Sequence, residues 1–398
     1  MDILIHPGPL QGKVNIIPSK SQAHRLLICA AFADGPTRIC CPETSHDMDA
    51  TADCLRSLGS EITRTEAGYT VIPAKNLPET AVLNCCESGS TLRFLLPVVG
   101  SLGVDGTFLM EGRLPQRPLS PLWEEMERMG CRLTRPTENT IRCQGRLSAG
   151  DYFIDGSVSS QFITGLLLAL SLMDRESSLN ITGKVESRPY IDLTRQAISL
   201  FGADPDHPGA QRFYSPDQLT VEGDWSNGAF FLAGNRLNPD SHIEIQGLHS
   251  ESVQGDRAAA YWIPRLCREN CTIDASDIPD LVPILSIVAA SGHGAVFTNI
   301  QRLRIKESDR VSSTIAMIHN LGGSAEATDE KLTVYATGFI GGTVDACNDH
   351  RIAMSAAIAS TVCQKNVIIL GAECVKKSYP RFWEEFSQLG GNYEQYLR

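Results

Sequence analysis

AVFTNIQRLRIKESDRVSSTIAMIHNLGG, residues 295–323, opens on strand formers, crosses a stretch dense in charge, and closes as an amphipathic run ending in Leu321-Gly322-Gly323. A β-branched and aromatic start reads as a strand, the apolar-periodic run as a helix, and the glycine as its left-handed stop. The same order recurs along the chain. Thr37-Arg38-Ile39 leads to Leu58-Gly59, Thr107-Phe108-Leu109 to Met129-Gly130, Leu179-Asn180-Ile181 to Phe201-Gly202, and Val367-Ile368-Ile369 to Leu389-Gly390-Gly391. A degenerate copy, Ile243-Glu244-Ile245 to Arg268, fills the remaining gap without a closing glycine. With that member allowed for, the glycines at 59, 130, 202, 322 and 390 stand about 60–72 residues apart, which implies six copies of one unit.

Each copy also holds a second helix, for example Gln22 to Phe32, Thr91 to Val99, Gln161 to Leu172, Leu281 to Ala290 and His350 to Cys363. Stretches such as Leu166-Leu167-Leu168 and Ile352 to Val362 are apolar on every side, so these helices belong inside. Strands alternating with helices at this period give an α/β fold with sheets outside and helices within. Three units followed by three suggest two similar lobes, one of residues 14–221 and one of residues 1–13 with 222–398.

At 398 residues the chain has length for two domains, and its apolar and charged fractions are those of a globular protein. No signal peptide is visible, and the longest greasy stretch, Phe162 to Met173, falls short of the roughly 20 residues of a membrane span. A cytoplasmic protein with no membrane partner is expected. The 13 cysteines include two vicinal pairs but no CxxC, so buried free thiols are expected rather than a metal site. A net charge of −11 excludes a nucleic-acid partner and makes local clusters of cations informative.

Those clusters share one form, a helix opening with small polar residues and a cation in or beside its first turns. They are Ser19-Lys20-Ser21-Gln22-Ala23-His24-Arg25, Glu87-Ser88-Gly89-Ser90-Thr91-Leu92-Arg93, Ser157-Val158-Ser159-Ser160-Gln161 and Asn348-Asp349-His350-Arg351. Ser21 is a candidate cap for the first helix, and Gly89 permits close backbone approach to a ligand. Free N–H groups and a positive dipole end make each helix start an anion site, and four in equivalent places suit phosphates and carboxylates. Arg113 and Arg117 add cations, as do Lys376 and Lys377. In Arg304-Ile305-Lys306-Glu307-Ser308-Asp309-Arg310, a helix would put Lys306 and Arg310 on one face and bring Glu307 to Arg310. Asp280, before the apolar helix from Leu281, is either a cap or, beside so many cations, a proton acceptor. There is no GxGxxG after a strand, no HExxH and no GxSxG, so nucleotide, nicotinamide and zinc-hydrolase chemistry drop out.

Taken in order, PSKSQAHR (Pro18 to Arg25), DGSVSSQF (Asp155 to Phe162), RIKESDR (Arg304 to Arg310), Asp349-His350-Arg351 and Cys374-Val375-Lys376-Lys377 resemble the enolpyruvyl transferase family, specifically its branch acting on shikimate 3-phosphate. The resemblance implies a two-lobed inside-out α/β barrel, each lobe three repeated units with parallel buried helices and outer sheets, and an active site in the cleft between lobes. It implies transfer of the carboxyvinyl group of phosphoenolpyruvate to the 5-hydroxyl of shikimate 3-phosphate, with release of phosphate through a tetrahedral intermediate. It implies a monomer and no metal or organic cofactor.

By position in those motifs, phosphoenolpyruvate is expected at Lys20, Gly89, Arg93, Arg117, Gln161, Arg310, Arg351 and Lys377. Shikimate 3-phosphate is expected at Lys20, Ser21, Arg25, Ser159, Ser160, Gln161, Ser187, Tyr190, Asp280 and Lys306. The resemblance makes Asp280 the acceptor of the hydroxyl proton and Glu307, assisted by Lys20, the acid toward the methylene carbon. Glu87 and Arg302 stand where other members carry Asn, which puts a substrate contact at either in doubt. Two other functions remain open at this point. One is the sister transferase acting on UDP-N-acetylglucosamine, whose mobile-loop Cys is missing from Arg113-Leu114-Pro115-Gln116. The other is a non-catalytic sugar-phosphate binder, which would be expected to lose Asp280, Glu307 or Lys20.

Overall fold

The twenty strands among the described residues fall into six sheets, and four of the six repeat one plan: a parallel pair followed by two antiparallel neighbours. The structure, a computed structural model, describes residues 1–397. Its contacts divide into two units, Pro18–Glu222 and Met1–Ile17 with Gly223–Arg398. The N-terminal segment stays with the second of these beyond residue 13, because the strand Gln11–Asn15 pairs in parallel with His242–Gln246.

In the unit Pro18–Glu222 the four-stranded sheets run Gln218–Thr220, Thr37–Cys40, Gly68–Ile72, Glu61–Thr65 and Thr80–Asn84, Asp105–Leu109, Thr140–Gly145, Cys131–Thr137. The strands Asp151–Asp155 and Ser178–Thr182 form a parallel pair. Residues alternate between buried and exposed along Thr80–Asn84 and Asp151–Asp155, as in sheets with one wet face. The helices are α1 (Lys20–Ala31), α2 (His46–Ser57), α3 (Gly89–Leu102), α4 (Leu122–Arg128), α5 (Ser160–Ser171) and α6 (Arg188–Leu200). Nearly every residue of α1, α3 and α5 is buried. Helices α3 and α5 touch at Gly165, where a Cβ would stand 2.2 Å from the Arg93 carbonyl oxygen and 2.8 Å from Pro97 Cγ. Pro97 has no N–H to offer that carbonyl, so the helix lacks a bond at the place where α5 crosses it. It also fixes the stretch of α3 that carries Arg93.

The other unit repeats the plan in Cys271–Asp274, Ala295–Thr298, Lys331–Tyr335, Ser324–Ala327 and in Gly342–Asp345, Val367–Leu370, Ile3–His6, Asn392–Gln395. Its helices are α7 (Trp225–Leu237), α8 (Ala259–Leu266), α9 (Val282–Ser291), α10 (Arg310–Asn320), α11 (His350–Ala359) and α12 (Phe382–Gln388). Helices α7, α9 and α11 pack against one another; α9 and α11 are buried almost throughout, and α7 is buried up to its last turn, where Arg236 is exposed. Helix α7 is the second helix of the degenerate copy, which the sequence analysis leaves unnamed. Its Gly228, Gly234 and Asn227 lower helix propensity, and burial on all sides erases the amphipathic period. Each unit has its own apolar core. No helix among the described residues is long and apolar enough to cross a membrane.

Candidate functional site

Four strands end in the same local device. Asn84, Asp155, Asp274 and Asp345 each accept, through Oδ1, the backbone N–H two residues on, at Cys86, Ser157, Ser276 and Cys347. These Asx turns bend the chain out of its strand. In three of the four a side chain then caps the buried helix: Ser88 for α3, Ser159 for α5 and Asp349 for α11. Helix α1 is capped by Ser19. The expected cap Ser21 lies inside the helix, because the chain is already helical from Lys20.

In the unit Pro18–Glu222, Lys20 Nζ meets Asp47 Oδ2 at 2.8 Å. Arg93 Nη1 donates to Gln161 Oε1 at 2.7 Å and Nη2 to the Pro118 carbonyl at 3.0 Å, while Gln161 Nε2 donates to Ser90 Oγ at 3.0 Å. Arg117 comes to the same place. A Cβ on Gly89 would lie 2.6 Å from Arg117 Nη1 and 3.1 Å from Arg93 Nη1. Two guanidiniums thus close on the first residue of a buried helix, where free N–H groups and the dipole add positive potential. Gly89→Ala would push its methyl into both. The Ala variant is expected to raise KM for the bound anion about ten-fold or more, with little change in Tm, because flexible side-chain ends can yield. Steady-state kinetics with a thermal melt check it, and an unchanged KM would remove Gly89 from the site.

Arg25 is almost wholly enclosed. Its Nε donates to Thr194 Oγ1 at 2.8 Å and Nη1 to the Ser21 carbonyl at 2.5 Å, and Nη2 donates to Thr164 Oγ1 and the Tyr190 carbonyl. Four of its five N–H donors therefore serve the protein, tying α1, α5 and α6 together. Ser159 caps α5, Ser160 follows it in the first turn, Ser187 opens α6 at φ 54°, and Tyr190 sits half-buried one turn on. The Glu87 carboxylate packs against Gly112, where a Cβ would be 2.6 Å from its carboxyl carbon.

In the other unit Asp280 is the centre. Arg310 Nη1 donates to its Oδ1 at 2.7 Å, Arg351 Nη2 to its Oδ2 at 3.1 Å, and Lys306 Nζ lies 4.0 Å from Oδ1. Burial works to raise the Asp280 pKa, but Arg351, Lys306 and Arg310 together hold it well below the usual carboxylate range. Asp280 is no helix cap, since Leu281 holds that position of α9. Arg310 spends its other donors on Asp349 Oδ2 at 3.0 Å and Glu307 Oε2 at 2.7 Å. The Glu307–Arg310 pair thus forms, but not by the expected helix. Lys306 has extended backbone, because Asp309 caps α10 and starts it only at Arg310. Burial pulls Lys306 down to about 8 against the opposing pull of Asp280. Arg351 Nη2 is shared with Ser226 Oγ at 2.8 Å, and its Nε and Nη1 are buried with no hydrogen-bond partner among the described residues. Lys377 Nζ donates to the Asn348 carbonyl at 3.0 Å, next to the start of α11.

Asp47, Asp349 and Ser226 are polar partners of the expected cations that are not themselves among the expected residues, and Asp224, the cap of α7, accepts from Ser226 Oγ. Asp349 and Asp224 carry a signal, an acid directly before a buried helix. Asp47 and Ser226 carry none.

The family model described as EPSP synthase (3-phosphoshikimate 1-carboxyvinyltransferase) matches residues 5–269 and 267–386. The 3-phosphoshikimate 1-carboxyvinyltransferase of Clostridium beijerinckii is 36% identical over 99% of this chain and 99% of its own length. That of Clostridium perfringens is 38% identical over 98% of each. Among solved structures, an EPSP synthase from Acinetobacter baumannii superposes with a TM-score of 0.80 at 22% identity, covering 99% of both chains. The enolpyruvyl transferase NikO from Streptomyces tendae gives 0.74 at 15% identity over 99% of this chain and 98% of that one. At such identities these two likenesses speak to the fold, a mixed α/β one.

Proposed function

The chain belongs to the EPSP synthase family, and from that premise we propose how its residues divide the work. The protein transfers the enolpyruvyl group of phosphoenolpyruvate to shikimate 3-phosphate, a step of the shikimate pathway. The acceptor is the 5-hydroxyl, and the reaction runs by addition and elimination through a tetrahedral intermediate. Each unit is one lobe of a two-lobed inside-out α/β barrel, and the protein acts as a cytoplasmic monomer. Lys20, Gly89, Arg93, Arg117, Gln161, Arg310, Arg351 and Lys377 bind phosphoenolpyruvate. Lys20, Ser21, Arg25, Ser159, Ser160, Gln161, Ser187, Tyr190, Asp280 and Lys306 bind shikimate 3-phosphate.

The convergence of Arg93 and Arg117 on Gly89 carries this reading, because two guanidiniums beside the start of a buried helix build a positive potential that suits an anion. Arg351 supports it with two buried donors unmatched among the described residues. Asp280 is ionised at neutral pH and so is ready to accept the hydroxyl proton. Substrate anions drawing on Arg310 and Arg351 weaken their hold on Asp280 and raise its basicity when the hydroxyl arrives. Glu307, paired with Arg310, takes up a proton from water when a substrate anion is set against it and passes that proton to the methylene carbon, with Lys20 assisting. The test is phosphate release with phosphoenolpyruvate and shikimate 3-phosphate, with UDP-N-acetylglucosamine as the parallel acceptor. Release with shikimate 3-phosphate is expected, and release only with the nucleotide sugar would overturn it.

Lys306 gives the reaction a pH signature. A lysine with a pKa of about 8 loses its charge as the pH rises through that value, so its hold on an anion fades on the alkaline side. KM for shikimate 3-phosphate is expected to rise about ten-fold between roughly pH 7 and 9. In Lys306→Arg, which stays charged, the rise should flatten. A flat profile in the unaltered protein would take Lys306 out of that role.

A further inference from the structure

His24 lies in the first turns of α1, four residues on from Lys20 and next to Arg25, and its side chain is enclosed in the core. The ring is fully buried, edge-on to Phe94 with centroids 6.2 Å apart. Burial, then Lys20 and Arg25, depress its pKa well below the ordinary value, so the imidazole is neutral. Nδ1 lies 2.7 Å from Thr51 Oγ1 on α2, and Thr51 Oγ1 lies 2.7 Å from Thr91 Oγ1 on α3. Thr91 Oγ1 reaches Ser88 Oγ at 2.7 Å, and the Thr91 N–H donates to the same Ser88 Oγ at 3.2 Å as the cap of α3. A weaker branch runs from Thr91 Oγ1 to the Asp47 carbonyl at 3.4 Å, on the residue whose carboxylate holds Lys20.

All four side chains are fully buried. Each hydroxyl has one proton and the neutral imidazole one N–H, so the bonds form one connected chain across α1, α2 and α3 whose direction follows the imidazole tautomer. Apolar side chains of the same shape would fill this space without the desolvation cost of polar ones. What an apolar core does not supply is a fixed position, whereas a connected buried polar network does. His24 Nε2 has no hydrogen-bond partner among the described residues, so the imidazole is held from one side only, through Thr51.

We propose that His24, Thr51 and Thr91 are positioning residues, a buried strut that sets the first turn of α3, with Gly89 and Arg93, against α1 for binding phosphoenolpyruvate. The inference rests on the assignment of Gly89 and Arg93 to that substrate. Thr51→Val keeps the shape and removes the hydroxyl, so both joints of the strut open. KM for phosphoenolpyruvate is expected to rise about ten-fold, with kcat and KM for shikimate 3-phosphate within about two-fold of the unaltered protein. Thr51→Ser returns the hydroxyl and should restore the low KM, which a role in packing would not do. If Thr51→Val does not accumulate, Thr91→Val opens the strut from its other side and is read the same way.

A fall in Tm with KM for phosphoenolpyruvate unchanged would overturn the proposal. So would an equal rise in both KM values, which would mean general loosening. Arg93→Ala, measured alongside, separates the two assignments. A raised KM in Arg93→Ala with none in Thr51→Val overturns the strut alone, and no change in Arg93→Ala overturns both.

Discussion

Asp280→Asn lowers kcat by about 10²–10⁴-fold in the expected result, the range lost when a positioned general base is removed. The amide is nearly isosteric and can still accept a hydrogen bond from Arg310, so the site keeps its shape while losing the atom that takes a proton. A second effect comes from charge. Asp280 is the shared counterion of Arg310, Arg351 and Lys306, and its neutralisation leaves Arg351 and Lys306 facing each other without a carboxylate between them. The unliganded variant should therefore melt below the unaltered protein, and inorganic phosphate should recover part of the difference by standing in for the lost charge. Phosphate release gives kcat, and paired melts with and without phosphate give the rest. A kcat within about ten-fold of normal would remove Asp280 from the proton transfer.

Arg310→Met has the largest expected effect on stability. The guanidinium, 1% exposed, answers three carboxylates, and Asp349 among them is wholly buried. Breaking a buried pair by removing one partner costs about 3–5 kcal/mol, because the charge left behind has lost its compensation. The loss should depend on pH in a definite direction. In the unaltered protein Asp280 is held well below its unfolded-state value, so its contribution is present at neutral pH and fades as the pH falls through the folded value. In the variant Asp280 keeps Arg351 and Lys306 but loses Arg310, so less of that contribution is present to be lost to acid. The stability gap between the two proteins should narrow as the pH falls below about 4, the ordinary carboxylate value, as read by denaturant titration at each pH. Arg310→Lys should recover little, since an ammonium cannot offer the fork that reaches Asp349, Asp280 and Glu307 together. A gap that is constant with pH would mean the loss is one of packing.

Much of this arrangement is legible in the chain itself. Strand formers, a capped start and a closing glycine are local features, so the repeats from Thr37, Thr107, Leu179, Ala295 and Val367 stand out, and Ser88, Ser159 and Asp349 mark where buried helices begin. The cations are legible too, because they sit in or beside the first turns of those helices. What stays hidden depends on tertiary partners. Nothing near Asp47 announces that Lys20 will meet it, and the Arg310–Asp349 pair spans residues 39 apart. Helix α7 hides because a buried helix has no wet face to give it a period. The segment from Arg304 to Arg310 misleads for a local reason: its charges suit a helix face, but Asp309 caps the helix one residue before Arg310 and leaves Lys306 outside.

The strand Ile3–His6 sits between Val367–Leu370 and Asn392–Gln395, and this has a bearing on the order in which the chain is made. A ribosome releases the middle strand of that sheet first and its neighbours about 360 residues later, a wait of roughly 20–70 s at ordinary synthesis rates. The unit Pro18–Glu222 is continuous, so all its partners emerge together and it can mature during translation. The unit that surrounds it in sequence cannot. Its first strand must be kept from aggregation until Val367–Leu370 and Asn392–Gln395 have been made, and only then does the unit that holds Asp280, Arg310 and Arg351 come into being.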